Sequence, residues 1–280
     1  MFSRERFAGF AGALESGADF ENLKGDAGVG TKGGSQDHAA ILCSNPSQLG
    51  LYSYFPVTKE AEVAFPEECA FVIGSSGVKA RKTGSAKEAY NDASRRASDV
   101  VELWNTAEGE NVRTMGEMVL HPSFSREKLR TVLDQSQTGE RLWHRFLQFD
   151  RECHVVIPGA LQALSDQNWE AFGRFTDESQ KMAAGWLGNQ VDETNDLVAM
   201  ARTLGAYGSC AFGAGFGGAV WALVRKSEAQ SFMSEWIKAY STKYPSRMNG
   251  AQFLVDLPSP GVFIASSPHF SFEQPEAGSQ

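Results

Sequence analysis

The sequence contains no apolar run that approaches the 18 or more residues of a membrane span, and no apolar core follows the polar residues 3–6 as a secretory signal requires. Only four cysteines occur among 280 residues, and the wide spacing of Cys43, Cys69, Cys153 and Cys210 matches no metal-binding pattern. Acidic residues outnumber basic ones by 34 to 26, which gives a net charge of −8. These absences predict a cytoplasmic protein with reduced thiols and no metal site of its own, which binds neither membrane nor nucleic acid. Nothing in the sequence indicates an oligomeric state.

Glycine is concentrated in residues 212–218, Phe-Gly-Ala-Gly-Phe-Gly-Gly, between the apolar runs 209–212 and 219–224. Glycine reaches positive φ angles and lets backbone N–H groups approach an anion closely. The glycines match G-x-G-x-x-G, but the residues that follow predict a buried strand, where a dinucleotide-binding turn needs a helix. A protein-kinase glycine loop is excluded because the chain has no H-R-D or D-F-G triplet. Two interpretations stay open, an anion-facing loop and a tight turn or bulge between two core strands.

A second glycine-rich stretch, residues 25–34, leads directly into Ser35-Gln36-Asp37-His38 and then the apolar run 39–43. A serine or aspartate just before an apolar run signals the start of a helix, so Asp37 is predicted in the first helical turn or at its cap. Asp37 either caps the helix only, or it points at a substrate for which the glycines leave space.

Strand-like runs interrupted by proline and glycine occupy the early chain, and helical periodicity dominates after residue 85. The predicted strands are 51–55, 60–65, 70–75, 209–212, 219–224, 253–255 and 262–265. The predicted helices are 5–15, 85–104, short ones near 115–120 and 126–133, three within 141–204 with an interruption near Pro158, and 226–240. This arrangement predicts an α+β fold. Tyr90 lies on the apolar face of the helix 85–104, where a core tyrosine is the alternative to a functional one.

Together these segments resemble the galactokinases, which belong to the GHMP sugar and metabolite kinases. Residues 212–218, preceded by 205–209, resemble the third motif of that family. The run Gly-Thr-Lys-Gly-Gly-Ser-Gln-Asp-His at 30–38 is similar to the segment that presents the catalytic aspartate. Tyr90, followed by Arg95 and Arg96, resembles a helix start with a sugar-contacting tyrosine, with two residues more than the common Tyr-x-x-Arg-Arg spacing. Residues 187–191 resemble a segment of one bacterial branch.

The resemblance implies a two-domain architecture. Residues 1–77 are then what remains of an N-terminal domain, and residues 78–280 form a C-terminal domain whose helices pack on a small antiparallel sheet. The implied activity is ATP-dependent phosphorylation of the C1 hydroxyl of galactose, with ATP and Mg²⁺ as cofactors and a small sugar as partner. Asp37 would orient or deprotonate that hydroxyl, and Gly34 and Tyr90 would contact the sugar. The residues implied near the phosphates are Gly213, Ala214, Gly215, Phe216, Gly217 and Gly218.

Two family motifs that precede the aspartate segment are not present in the printed sequence. One is an Arg-x-Asn-x-x-Gly-Glu-His-x-Asp-like segment, and the other is a Pro-x-Gly-x-Gly-Leu-Ser-Ser-Ser-like loop around the phosphates. We therefore expect the chain to resemble the C-terminal part of a sugar kinase and to have weak activity or none alone. The alternatives are a kinase for arabinose, a uronic acid or N-acetylgalactosamine, a non-catalytic sugar sensor, and a structural domain without a ligand.

Overall fold

The computed structural model describes residues 3–30, 32–79 and 85–262. Most of the predicted strand 262–265 lies outside these residues, and Val262 itself is not in a strand. The described chain combines helices with antiparallel sheets, so the α+β prediction is confirmed.

The elements of the described residues follow the predicted order closely. The α-helices are α1 (Arg4–Ser16), α2 (Gln36–Cys43), α3 (Ser85–Glu108), α4 (Met115–Leu120), α5 (Arg126–Asp134), α6 (Gly139–Arg151), α7 (Ile157–Ser165), α8 (Trp169–Met182), α9 (Asp192–Thr203) and α10 (Ala229–Lys243). The strands are β1 (Gln48–Tyr54), β2 (Val57–Ala64), β3 (Cys69–Ser76), β4 (Gly208–Phe212), β5 (Ala219–Arg225) and β6 (Ala251–Asp256). Two π-helical turns (Glu152–Val156 and Ala183–Leu187) and two 3₁₀ turns (Lys226–Glu228 and Pro245–Arg247) complete them.

The larger sheet has four antiparallel strands in the order β4-β5-β3-β6. Successive side chains of a strand point to opposite faces of the sheet. Both faces of this sheet are buried. Val220, Ala222 and Val224 of β5 pack in one hydrophobic cluster with α9 and α10, whereas Leu223 packs in another with α8. The sheet therefore has helices on both faces.

Helix α10 is fixed to this sheet by two buried aromatic residues. The indole Nε1 of Trp236 donates to the carbonyl of Leu197 on α9 at 3.0 Å. The hydroxyl of Tyr240 donates to the carbonyl of Ser76 at the end of β3 at 2.6 Å. Both rings are fully buried, so the hydrogen bonds satisfy polar groups that water does not reach.

A separate cluster of helices packs beside the sheet. Trp104 of α3, Met118 of α4, Leu129 of α5 and Phe146 of α6 meet in its core, each fully buried. The chain runs from α6 through the π-helical turn 152–156 into α7 without leaving helical geometry. The predicted interruption near Pro158 is therefore a π-helical turn at 152–156, between two α-helical segments. Pro158 lies in the first turn of α7, where its missing N–H costs little. The π turn adjusts the backbone between α6 and α7.

The N-terminal elements form a separate hydrophobic cluster. The hairpin β1–β2 packs on α1 and α2 through Ala8, Ala39, Cys43 and Val57. Strand β3, which precedes the predicted domain boundary at residue 77, is hydrogen-bonded to β5 and β6 in the larger sheet. The division at residues 77 and 78 stays a prediction.

Candidate active site

Helix α2 begins with Ser35 at its N-cap and carries Asp37 in its first turn, as the sequence predicted. A close approach of α1 fixes this start, because a side chain at Gly12 of α1 would collide with Ser35. Asp37 is exposed. At the end of β1, burial raises the pKa of the Tyr54 phenol, and the charge of Asp37 adds to this shift. The Asp37 carboxylate thus lies in the first turn of α2, open to solvent.

Tyr90 of α3 reaches the glycine segment that precedes Asp37. Its hydroxyl would lie 3.2 Å from a Cβ placed on Gly33, so a side chain at this position would be in tight contact with the phenol. Asn91 ties the same segment to α3: its side chain accepts from the backbone N–H of Lys32 at 3.2 Å and donates to the carbonyl of Gly30 at 3.3 Å. Gly34 faces open space. Tyr90 and the Asp37 segment, 53 residues apart in sequence, are therefore brought together.

A histidine–carboxylate pair that the sequence analysis did not identify lies beside these residues. Nε2 of His38 is 3.1 Å from Oε2 of Glu15 on α1, and both side chains are half-buried. The other carboxylate oxygen of Glu15 would lie 3.9 Å from a Cβ on Gly33. No pattern in the sequence indicated this pairing. His38 simply follows Asp37, and Glu15 lies on a helix whose amphipathic pattern is weak.

The glycine-rich segment 213–218 is the loop that joins β4 to β5, which pair in register from Phe212 opposite Ala219. All four glycines of the loop have positive φ, and so does Phe216, at +59°. In the part of the chain that the structure describes, a side chain on Gly213 or Gly218 would meet nothing within 4 Å. The N–H and the carbonyl of Gly218 are both hydrogen-bonded, to Val78 and Ser76, so Gly213 is the position that leaves the loop backbone accessible. Both sequence interpretations therefore fit: the segment connects two core strands, and its backbone is open enough for an anion to approach.

Two neighbours hold the loop. The backbone N–H of Gly218 donates to the carbonyl of Val78, just beyond β3, at 3.0 Å. On the other side, the N–H of Phe216 donates to the carbonyl of Asn189 at 2.5 Å. Gly215 and Gly217 have no room for a side chain, because a Cβ would overlap Asn189 or Val78 respectively.

A cleft of about 730 Å³ is lined by α3, by α6, by the π-helical turn with Gly188, and by Phe216 of the loop. Ala89, Asp92 and Arg96 of α3 line it from one helix face. Tyr90 is the residue after Ala89 and points to the Gly33 segment instead. The same two turns of α3 therefore contact the Asp37 segment and line the cleft to which Phe216 contributes.

Arg96 is a buried cation in the wall of this cleft, only 7% exposed. It donates to the carbonyls of Leu187 at 2.7 Å and Trp186 at 3.5 Å, and its Nε lies 3.5 Å from Asp92. Burial, followed by the charge of Arg141, lowers its pKa, and Asp92 opposes this shift. Asp92 also binds the exposed Arg95 and Arg141, so one carboxylate holds three arginines.

Among the described residues, no group of three or more His, Cys, Asp or Glu side chains is arranged to hold a metal ion. In the same part of the chain, no helix has the length and apolar character needed to cross a membrane.

Comparisons with known proteins agree with this architecture. Residues 160–242 match the family model described as GHMP kinases C terminal. A galactokinase of Lactococcus lactis, solved as a complex with galactose, superposes with a TM-score of 0.65 at 19% identity, over 92% of this chain and 66% of that one. The chain therefore spans about two thirds of the length of that galactokinase, and the likeness is one of fold.

Two other kinases overlap less well. A mevalonate kinase of L. major, solved with R-mevalonate, has 15% identity and a TM-score of 0.39 over 72% of this chain and 47% of that one. A homoserine kinase of Cytophaga hutchinsonii has 13% identity and a TM-score of 0.36 over 74% of this chain and 46% of that one.

Proposed function

We propose that this chain, a galactokinase-like member of the GHMP kinase family that resembles its C-terminal part, contributes to a site that phosphorylates the C1 hydroxyl of galactose. One observation carries the proposal. The hydroxyl of Tyr90 lies against Gly33, four residues before Asp37, while Phe216 of the glycine-rich loop lines a cleft to which the same turns of α3 contribute. The phenol, the segment of the exposed carboxylate and the glycine-rich loop thus all approach one helix.

In this proposal each group has a separate role. Tyr90 and the backbone around Gly34 hold the sugar beside Asp37. The C1 oxygen forms a bond to the γ-phosphorus, the bond from that phosphorus to the β–γ bridging oxygen breaks, and the hydroxyl proton goes to Asp37. A carboxylate is a weak base toward an alcohol, so positioning has to supply much of the rate, up to about 7–11 kcal/mol of the barrier.

The glycine-rich loop fits the phosphate end of a nucleotide. Gly213 has positive φ and faces open space among the described residues, which lets its backbone approach phosphate oxygens. ATP would supply the phosphoryl group, with Mg²⁺ neutralising charge on its phosphates. We assign the ion to the nucleotide, since the described residues hold no cluster suited to a metal.

An Asp37→Asn variant tests the proposal directly. Galactose binding, measured by isothermal titration, should change by less than about fivefold, the size of one hydrogen bond. ATP-dependent turnover of galactose should fall about 10²–10⁴-fold, since the base is lost. The matched control is Asp166→Asn, an exposed carboxylate at the end of α7 whose partner is Gln162. Measurable turnover in the wild type that is equally high in D37N would sink the proposal.

Two further measurements separate the alternatives. A panel of galactose, arabinose, a uronic acid and N-acetylgalactosamine decides the sugar, by the one that gives the highest ATP-dependent turnover. Galactose binding without turnover, unchanged in D37N, would instead indicate a non-catalytic sensor. We expect low turnover from this chain alone, because it spans 66% of the galactokinase it resembles.

A further inference from the structure

The inner side of the glycine-rich loop rests on a single residue, Asn189. Its backbone carbonyl accepts from the N–H of Phe216 at 2.5 Å, and its side-chain Nδ2 donates to the carbonyl of Ala214 at 3.3 Å. Gly215, between them, lies so close to Asn189 that no side chain fits there. Three consecutive residues at the centre of the loop are therefore seated on one asparagine.

The side chain of Asn189 belongs to a buried network of neutral amides. Its Oδ1 accepts from Nε2 of Gln190 at 3.0 Å, and Oε1 of Gln190 accepts from the hydroxyl of Thr194 at 3.0 Å and from Nε2 of Gln180 at 3.4 Å. Oε1 of Gln180 accepts from the backbone N–H of Ala211 in β4 at 3.0 Å. Asn189 and Gln180 are 8% and 7% exposed. The same network thus holds the strand that enters the loop and the middle of the loop.

Arg96 fixes the chain just before Asn189. Its guanidinium donates to the carbonyls of Trp186 and Leu187 at the end of the π-helical turn, and Gly188 then turns with a φ of +70°. Helix α3 is thereby linked to Asn189 through two carbonyls and one glycine. A chain of contacts therefore joins the cleft wall that carries Arg96 to the glycine-rich loop.

The chemistry of this support matches an anion site. A loop that binds phosphates through backbone N–H groups works best when those groups are held in place beforehand, since no energy is then spent on ordering them. Amide side chains can hold the loop without adding a negative charge that would repel the anion. A carboxylate at position 189 would form the bond with Gln190 but lose the donor to Ala214 and add that charge.

We infer that Asn189 is a positioning residue that holds the loop 213–218 in the conformation that meets the phosphates of a nucleotide. That the anion is a nucleotide rests on the proposed function. The support of loop 213–218 by Asn189, called the clamp below, does not. The Asn189 side chain acts on the loop, and the loop acts on the ligand.

Hydrogen exchange of the purified chain tests the clamp without any ligand. In Asn189→Ala, exchange of the amides in 213–218 should rise about fivefold, the effect of one lost hydrogen bond. Amides of β5 should stay protected. The matched control is Asn105→Ala, since Asn105 braces a different loop by bonds to the N–H and carbonyl of Val112 at 3.1 and 2.8 Å. N105A should leave exchange in 213–218 unchanged, and equal exchange in N189A and wild type would overturn the clamp.

Titration with ATP and Mg²⁺ tests what the clamp is for. Affinity should fall about fivefold in N189A and further in Asn189→Asp, which adds a negative charge at the same volume. N105A should bind ATP as the wild type does. Unchanged ATP affinity in N189A and N189D would overturn the positioning role. If the wild-type chain binds no ATP, the proposed function fails, and the exchange measurement still decides the clamp.

Discussion

Gly213 and Gly215 have the same φ angle of +82° but different surroundings. A side chain on Gly213 would meet nothing within 4 Å, whereas one on Gly215 would overlap the backbone and side chain of Asn189. Position 213 therefore favours glycine for its backbone conformation, whereas position 215 also lacks the space for a side chain.

Alanine substitutions at these two glycines have different expected costs. Gly213→Ala should lower the free energy of unfolding by about 1–2 kcal/mol, because an L-residue is strained at this φ. Gly215→Ala carries the same strain and adds a clash, so it should cost about 1–3 kcal/mol more. Urea unfolding of both variants measures the difference. Equal losses would mean that contact with Asn189 does not require glycine at position 215.

Single residues also differ in how far sequence alone could place them. Ser35 and Asp37 before an apolar run predicted the helix start, because capping is a local interaction. The contact between Tyr90 and Gly33 could not be predicted from spacing, since the two residues are 57 positions apart in the sequence. Asn189 gave only a weak signal: it follows a glycine and lies in the segment 187–191, which resembles one bacterial branch. The pair of Glu15 and His38 gave none.

At the scale of elements, α3 is the helix that links the parts of the candidate site. One face carries Tyr90 and Asn91 toward the glycine segment before α2. Another carries Asp92 and Arg96 toward the cleft and the π-helical turn. Its periodicity was evident from sequence, but which face meets which partner was not.

Neighbouring arginines of α3 provide a matched test of this role. Arg96→Gln removes a buried cation with bonds to two carbonyls, and should lower the free energy of unfolding by about 2–3 kcal/mol. Arg95→Gln removes an exposed partner of the same Asp92, and should cost less than about 1 kcal/mol. Thermal or urea unfolding of the two variants gives the comparison. A loss in R95Q as large as in R96Q would contradict the buried role of Arg96.

At the scale of the whole molecule, the last helix closes the fold onto the sheet and onto α9. Asp196 of α9 accepts from Nζ of Lys243 at 2.5 Å and from the hydroxyl of Tyr244. Burial of Asp196 acts to raise its pKa, but these hydrogen bonds outweigh burial and lower it. This carboxylate therefore couples the stability of the molecule to pH.

The expected pH dependence follows from the direction of that shift. Because the folded-state pKa of Asp196 is lowered, its ionised form stabilises the fold above the ordinary carboxyl range, and this contribution is lost as pH falls through the folded pKa. Asp196→Asn should cost about 0.5–1 kcal/mol near pH 7, since Lys243 is half exposed, and the difference from wild type should shrink below about pH 4. Urea unfolding between pH 3 and pH 7 measures it, pH values chosen to bracket the carboxyl range.

Glu235→Gln is the control for that series. Among the described residues, Glu235 pairs with Lys238 alone, an exposed contact at 3.9 Å, so its loss should change stability little at any pH. A pH-independent gap between wild type and D196N would contradict the linkage. It would show that the asparagine acts through packing and not through charge.

The sequence by itself determined the helices and strands, the α+β class and the loop between β4 and β5, because hydrophobic period, capping residues and glycine act over a few neighbouring positions. It also predicted the interruption near Pro158, but not that this interruption is a π turn. Only the tertiary structure decided that Tyr90 meets Gly33, that Arg96 reaches the π turn before Asn189, and that Asn189 seats the loop. These contacts join residues far apart in the chain, so packing and buried hydrogen bonds set them, and no local pattern encodes them.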